Sequence, residues 1–167
     1  MAKAEARKSE EKNENKVAPA YERLDIFSGE WKMQGDQFVS DFGPVAKVSG
    51  TQKFEWLPGK KFLIHRLEGK LGDNDMACIE LIGYDPANAT FTMDTFYNNG
   101  IKKSWNLHEK HPGVWVITGD WQHNGSVVKV RATISFSDDG RSSTAKWESL
   151  KDDNTWATFW DLKAVKR

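Results

Sequence analysis

One cysteine, Cys78, stands in 167 residues, so no intrachain disulfide forms and no thiolate zinc centre can be built. An excess of charge of one sign is missing too. Lys and Arg total 24, Asp and Glu total 24, and the isoelectric point is ≈ 6.9. That balance excludes the concentrated basic surface on which a nucleic-acid or anionic-membrane binder relies. No stretch approaches the ~18–20 consecutive apolar residues of a membrane span. The opening segment MAKAEARKSEEKNENK has no apolar core of the signal-peptide kind, so a soluble, cytoplasmic protein is expected. A glycine-rich phosphate loop, a His-x-x-x-His pair and a nucleophile elbow are all absent from the sequence. Hydrophobic residues make up only 38%, low for a globular domain, but eight Trp and nine Phe concentrate that share in large rings. A chain of this length buries roughly 70% of its unfolded surface, enough for one full core.

What is present is patterned. Residues 1–19 are mostly Lys, Glu, Ala and Asn with little to bury, which predicts a disordered charged tail ahead of one domain over 20–167. A recognition arm is the alternative for that tail. Tyr21, Leu24 and Phe27 fall at helical spacing and Ser28-Gly29 supplies a stop, so one short helix is expected. From Gly29 onward the period changes. Turn signals recur at Asp41–Pro44, Pro58-Gly59, Leu71–Asp75, Asp85–Asn88, Asn98–Gly100, His111–Gly113, His123–Gly125, Asp138–Gly140 and Asp152–Asn154. Asn-Gly and Asp-Gly pairs suit tight hairpins because they tolerate positive φ. Nine turns separate ten runs rich in β-branched and aromatic residues, which reads as an all-β antiparallel up-and-down meander. Closure into a barrel removes both edges, and about ten strands imply an internal cavity. A sandwich packed solid with aromatics is the alternative.

The short helix running into Gly29-Glu30-Trp31 resembles the start of calycin barrels, the lipocalin and fatty-acid-binding-protein superfamily. Trp56–Leu63 (WLPGKKFL), Ile82–Asp85 (IGYD) and Lys146–Ser149 (KWES), with Trp156 after the next turn, are similar to a bacterial family of uncharacterised calycin-like proteins, over roughly residues 21–164. The resemblance implies a calycin-like barrel whose helix closes one end and whose Trp31 packs across the base. It implies no reaction. The sequence also departs from better-known relatives. Arg131 is followed by Ala132-Thr133, not by the Arg-x-Tyr pair that holds a carboxylate in fatty-acid-binding proteins, and no His follows His123 to ligate a haem.

Several residues carry chemistry if their strands face inward. His65 shares a strand face with Leu63 and Leu67, where an imidazole in an apolar cavity could act as a base. A core histidine satisfied by a neighbour is the plain reading. Glu80 lies between Cys78 and Ile82, and Asp94 between Thr92 and Phe96, on consecutive strands. Either these carboxylates face solvent, or an inward Glu80 takes a partner such as His65 or Arg131. Phe91, Met93 and Tyr97 mark the face opposite Asp94 as interior. Val128, Val130, Ile134 and Phe136 make Arg131 point outward, the alternative being an inward anion anchor; Glu148 is equally ambiguous. Trp105 with Leu107, Trp156 with Trp160, and Trp115 and Trp121 with Ile117 have the spacing of inward faces. Such rings bind flat or hydrophobic ligands, fill a core, or cover a patch between subunits.

The expected function is therefore the binding of a small hydrophobic or aromatic molecule in a barrel cavity. His65, Glu80, Tyr97, Trp105, Trp121, Arg131 and Trp160 are the candidate contacts. The alternative is a cofactor-free isomerase or cyclase in which His65 and Glu80 move protons. A structural protein with a collapsed core is the third reading. No cofactor or metal is expected, His108 and His111 lacking a third ligand. Because several strands are apolar on both faces, a homodimer is the oligomer to test for.

Overall fold

The computed structural model describes residues 20–123 and 125–167; the expected tail over 1–19 and Asn124 of one turn lie outside them. After a short helix come ten strands: β1 (Gly29–Gln37), β2 (Ala46–Trp56), β3 (Phe62–Leu71), β4 (Asn74–Asp85) and β5 (Thr90–Tyr97). They continue with β6 (Lys102–His111), β7 (Val114–His123), β8 (Ser126–Phe136), β9 (Ser142–Leu150) and β10 (Trp156–Lys166). Each strand pairs antiparallel with its sequence neighbour, and β1 pairs with β10, so the sheet closes on itself as a barrel. All nine connections fall on the turn signals of the sequence. The tightest hold two residues; Pro112-Gly113 uses the fixed φ of proline and then a glycine at φ 77°.

Alternation decides what lies inside. Leu63 and His65 on β3, Ile82 on β4, Phe91, Met93 and Thr95 on β5, and Val130 and Ala132 on β8 are buried while the residues between them are more exposed. The outside is not uniformly polar. Phe62, Ile79, Leu81 and Phe96 on β3–β5 are exposed apolar residues.

The helix plugs one end. It is chiefly a 3-10 helix, Arg23–Phe27, with Leu24 and Phe27 buried beneath it. Four ties hold it to the rim. Trp31 Nε1 donates to the Phe27 carbonyl at 2.8 Å, and Trp56 Nε1 to Asp25 Oδ1 at 2.6 Å. Arg23 Nε donates to Glu109 Oε2 at 2.6 Å, and the Tyr21 hydroxyl to the Tyr84 carbonyl at 3.3 Å. Edge-to-face contacts of Phe27 with Trp115 and Phe136 fill the space below.

At the opposite end, the connection between β1 and β2 folds across the opening. Phe42 packs on Phe159 and Trp121, at centroid distances of 4.5 and 5.3 Å. Gln37 holds its base, accepting from Trp160 Nε1 at 2.7 Å and donating to the Pro44 carbonyl at 2.8 Å.

Candidate functional site

A cavity of ≈ 130 Å³ runs inside the barrel from the helix plug toward the far end. Its closed end is lined by Phe27, Trp31 and Phe54, its middle by Met33, Met93 and Ile117. Toward the far end Met76, Tyr97, Trp121 and Trp160 line it and are only half-buried, so the cavity reaches solvent there. Carbon and thioether dominate the walls. Apolar surface of this kind takes up an apolar body by excluding water.

One level of the wall is different. Phe54, His65, Glu80, Thr95 and Lys103 lie opposite one another in sequence across β2 to β6, all pointing inward. His65 Nδ1 is 2.6 Å from Glu80 Oε2. The Thr95 hydroxyl donates to Glu80 Oε1 at 2.8 Å and accepts from Trp105 Nε1 at 3.0 Å. The Phe54 ring lies flat on the imidazole, with centroids 4.0 Å apart and planes 2° from parallel. The His65 and Glu80 side chains are 7% and 13% exposed. A carboxylate that far from water is tolerated because donors flank it on both sides.

The direction of the chain follows from its first member. An indole N–H only donates, so the Thr95 oxygen accepts from it and sends its own proton to Glu80. The Glu80 carboxylate accepts again from His65, and in the neutral imidazole this places the one ring proton on Nδ1. Nε2 is then a bare acceptor at the far tip of a side chain that lines the cavity. It is buried and has no hydrogen-bond partner among the described residues.

Burial acts on the neighbouring groups as well. Burial pushes the Cys78 thiol and the Tyr97 phenol well above their ordinary ranges, and the nearby Glu80 carboxylate adds to both shifts. Lys103, buried with Nζ 4.9 Å from the Trp121 ring centroid, has its ammonium held below its ordinary value by desolvation.

Of the residues singled out from the sequence, His65, Glu80, Tyr97, Trp121 and Trp160 line the cavity. Trp105 points inward but lies flat against the wall over Gly119, where a Cβ would come within 2.6 Å of the indole, so it supports the site from behind. Arg131 is not brought to the cavity. It sits outside, donating to Glu148 Oε2 at 2.7 Å with its guanidinium 4.2 Å from the Trp156 ring centroid, as strand alternation requires. Trp156 therefore also faces out, a correction to its pairing with Trp160. A register shift between Thr158 and Trp160 inserts one residue and reverses the parity of β10. Glu80 faces inward, against the solvent-facing alternative, and Asp94 faces outward, accepting from Ser104. His108 and His111 are exposed, and no group of three His, Cys, Asp or Glu side chains that could hold a metal forms among the described residues.

Three members of that level, Phe54, Thr95 and Lys103, were not singled out, and Lys103 shares the inward parity of Trp105 and Leu107. Thr95 is in phase with Phe91, Met93 and Tyr97, which would have placed it inside. Phe54 becomes visible once the turn at Pro58-Gly59 fixes the β2–β3 register.

The chain belongs to the family described as a protein of unknown function, DUF1579, whose model matches residues 17–164. No curated protein matches it.

Proposed function

We propose that this member of the DUF1579 family binds one small, flat, largely apolar molecule inside the barrel, through its half-open end. The observation that carries the reading is the cavity itself, walled by aromatic and thioether groups and interrupted by the His65–Glu80 pair. At ~10–15 Å³ for each water-sized sphere, ≈ 130 Å³ corresponds to a ligand of on the order of ten non-hydrogen atoms. Micromolar affinity, about 8 kcal/mol, lies within the ceiling of about 1.5 kcal/mol per atom for so small a ligand. We read the barrel as calycin-like and its setting as cytoplasmic, on the sequence features described above.

Titration with naphthalene, followed by quenching of tryptophan fluorescence, tests this. Micromolar, saturable binding is expected, and Ala145→Phe, which fills the cavity from β9, should weaken it at least tenfold. Exchange of the loop residue Asn99 for Ser should leave it unchanged. Absence of saturable binding, or indifference to the β9 substitution, would favour a solid core.

A second reading, a cofactor-free isomerase, is favoured by one observation: an imidazole backed by a carboxylate, with its outer nitrogen bare. In that reading Nε2 takes a proton from the α-carbon of a β,γ-unsaturated ketone as the C–H electron pair moves into a dienolate. The imidazolium then returns the proton to the γ-carbon, while Glu80 holds the ring through Nδ1. Deuterium wash-in at the α-carbon of β-tetralone, measured by NMR in D₂O, should exceed that of a His65→Leu variant. Equal rates would remove this reading.

A further inference from the structure

We infer that the cavity selects ligands that carry one hydrogen-bond donor on an aromatic body, a phenol or aryl alcohol, delivered to Nε2 of His65. The inference rests on the ligand-binding reading above and names the chemistry of its polar contact.

His65 Nε2 is buried and unpartnered, whereas every other side-chain polar atom of the Trp105–Thr95–Glu80–His65 chain is hydrogen-bonded. A buried acceptor without a donor is costly, and a ligand that supplies one recovers that cost on binding. The polarity of the chain fixes what the ligand must bring. Because Trp105 can only donate, each link points toward Glu80, and His65 is left offering a lone pair. A carbonyl or ether oxygen would face that lone pair with one of its own. An aryl carboxylate would bring a second negative charge beside Glu80, whose Oε2 is 2.6 Å from the same imidazole. A neutral O–H meets neither obstacle.

Geometry limits the orientation as well. Phe54 stacked at 4.0 Å clamps the imidazole plane, so Nε2 points in one direction. The rest of the lining, from Met93 and Ile117 to Trp121, offers an apolar slot to the ring that bears the hydroxyl.

The experiment compares naphthalene, 2-naphthol, 2-naphthoate and 2-acetonaphthone by tryptophan quenching, in the unaltered chain and in Glu80→Gln and His65→Leu variants. The unaltered chain should bind 2-naphthol at least tenfold more tightly than naphthalene or the ketone, and 2-naphthoate weakest of all. Glu80→Gln is the decisive variant. Its amide oxygen must still accept from Thr95, so its NH₂ turns to His65 Nδ1 and moves the ring proton to Nε2. The tip becomes a donor, and the preference should swap from 2-naphthol to 2-acetonaphthone. In His65→Leu the advantage of 2-naphthol over naphthalene should vanish while naphthalene itself still binds. Equal affinities of the uncharged probes in the unaltered chain would overturn the inference and leave the cavity reading intact. So would a naphthol preference that survives both substitutions, or tighter binding of 2-naphthoate. Failure of every probe to bind would remove the cavity reading and this inference together.

Discussion

At the scale of single residues, most polar groups of the interior have a neighbour to answer them, His65 Nε2, Trp115 Nε1 and Ser149 Oγ being exceptions, and Lys103 is a case of its own. Its side chain is buried, and its Nζ lies 4.9 Å from the centroid of the Trp121 ring. Burial lowers its affinity for a proton in the folded chain. The charged form is thus the one that folding penalises. That penalty is complete below the folded value and fades as pH climbs through it toward the unfolded value of 10.5. Lys103→Met, which keeps the apolar stem and removes the charge, should raise the urea midpoint at pH 7. The gain should shrink steadily as the buffer is taken toward pH ~10.5, where an unfolded lysine also loses its proton. A midpoint that is unchanged at pH 7, or a gain independent of pH, would mean that the ammonium reaches solvent. Gly119 shows the same economy in another form: a side chain there would displace the indole of Trp105, and with it the donor that orients Thr95 and Glu80.

Among the elements, the short helix is the one whose removal would open the barrel. Trp31 is its seat, buried to 2% and bonded to the last carbonyl of the helix. Trp31→Ala should cost about 3–5 kcal/mol in denaturant unfolding, the usual effect of deleting a large buried ring. A loss under about 1 kcal/mol would show that the helix closes nothing. The elements were largely legible in the sequence, because nearly every turn carries its own chemistry. Reflection through those turns even gives the site: through Gly72-Asp73, His65 meets Glu80, and through the connection at 86–89, Glu80 meets Thr95. Three things were not legible. Glu80 could be read as facing solvent or facing inward, because Ile79 and Leu81 make β4 apolar on both faces and leave its alternation unclean. Trp156 looked inward because an inserted residue in β10 leaves no mark in an alternating pattern. Helix type was hidden as well, since Tyr21, Leu24 and Phe27 at intervals of three satisfy a 3-10 turn as readily as an α-helical one.

Across the whole molecule, nine of the ten strand pairs join sequence neighbours, and only the β1–β10 pair, with Trp31 opposite Lys166, spans nearly the full chain. Around the ring, however, that pair is one hydrogen-bonded ladder among equals. The seam therefore belongs to the order of synthesis and not to the architecture. A chain joined from Arg167 to Ala20 by a short glycine-serine linker, and opened between Asn99 and Gly100 in the β5–β6 turn, should assemble the same barrel. Naphthalene binding and the far-UV circular dichroism spectrum should both be retained, and loss of either would show that the β1–β10 junction has a role of its own. What should change is the route. The original seam becomes a local hairpin that zips early, and the last, slowest encounter of chain ends moves to the wall that holds Thr95, whose environment would be completed only as the ring shuts.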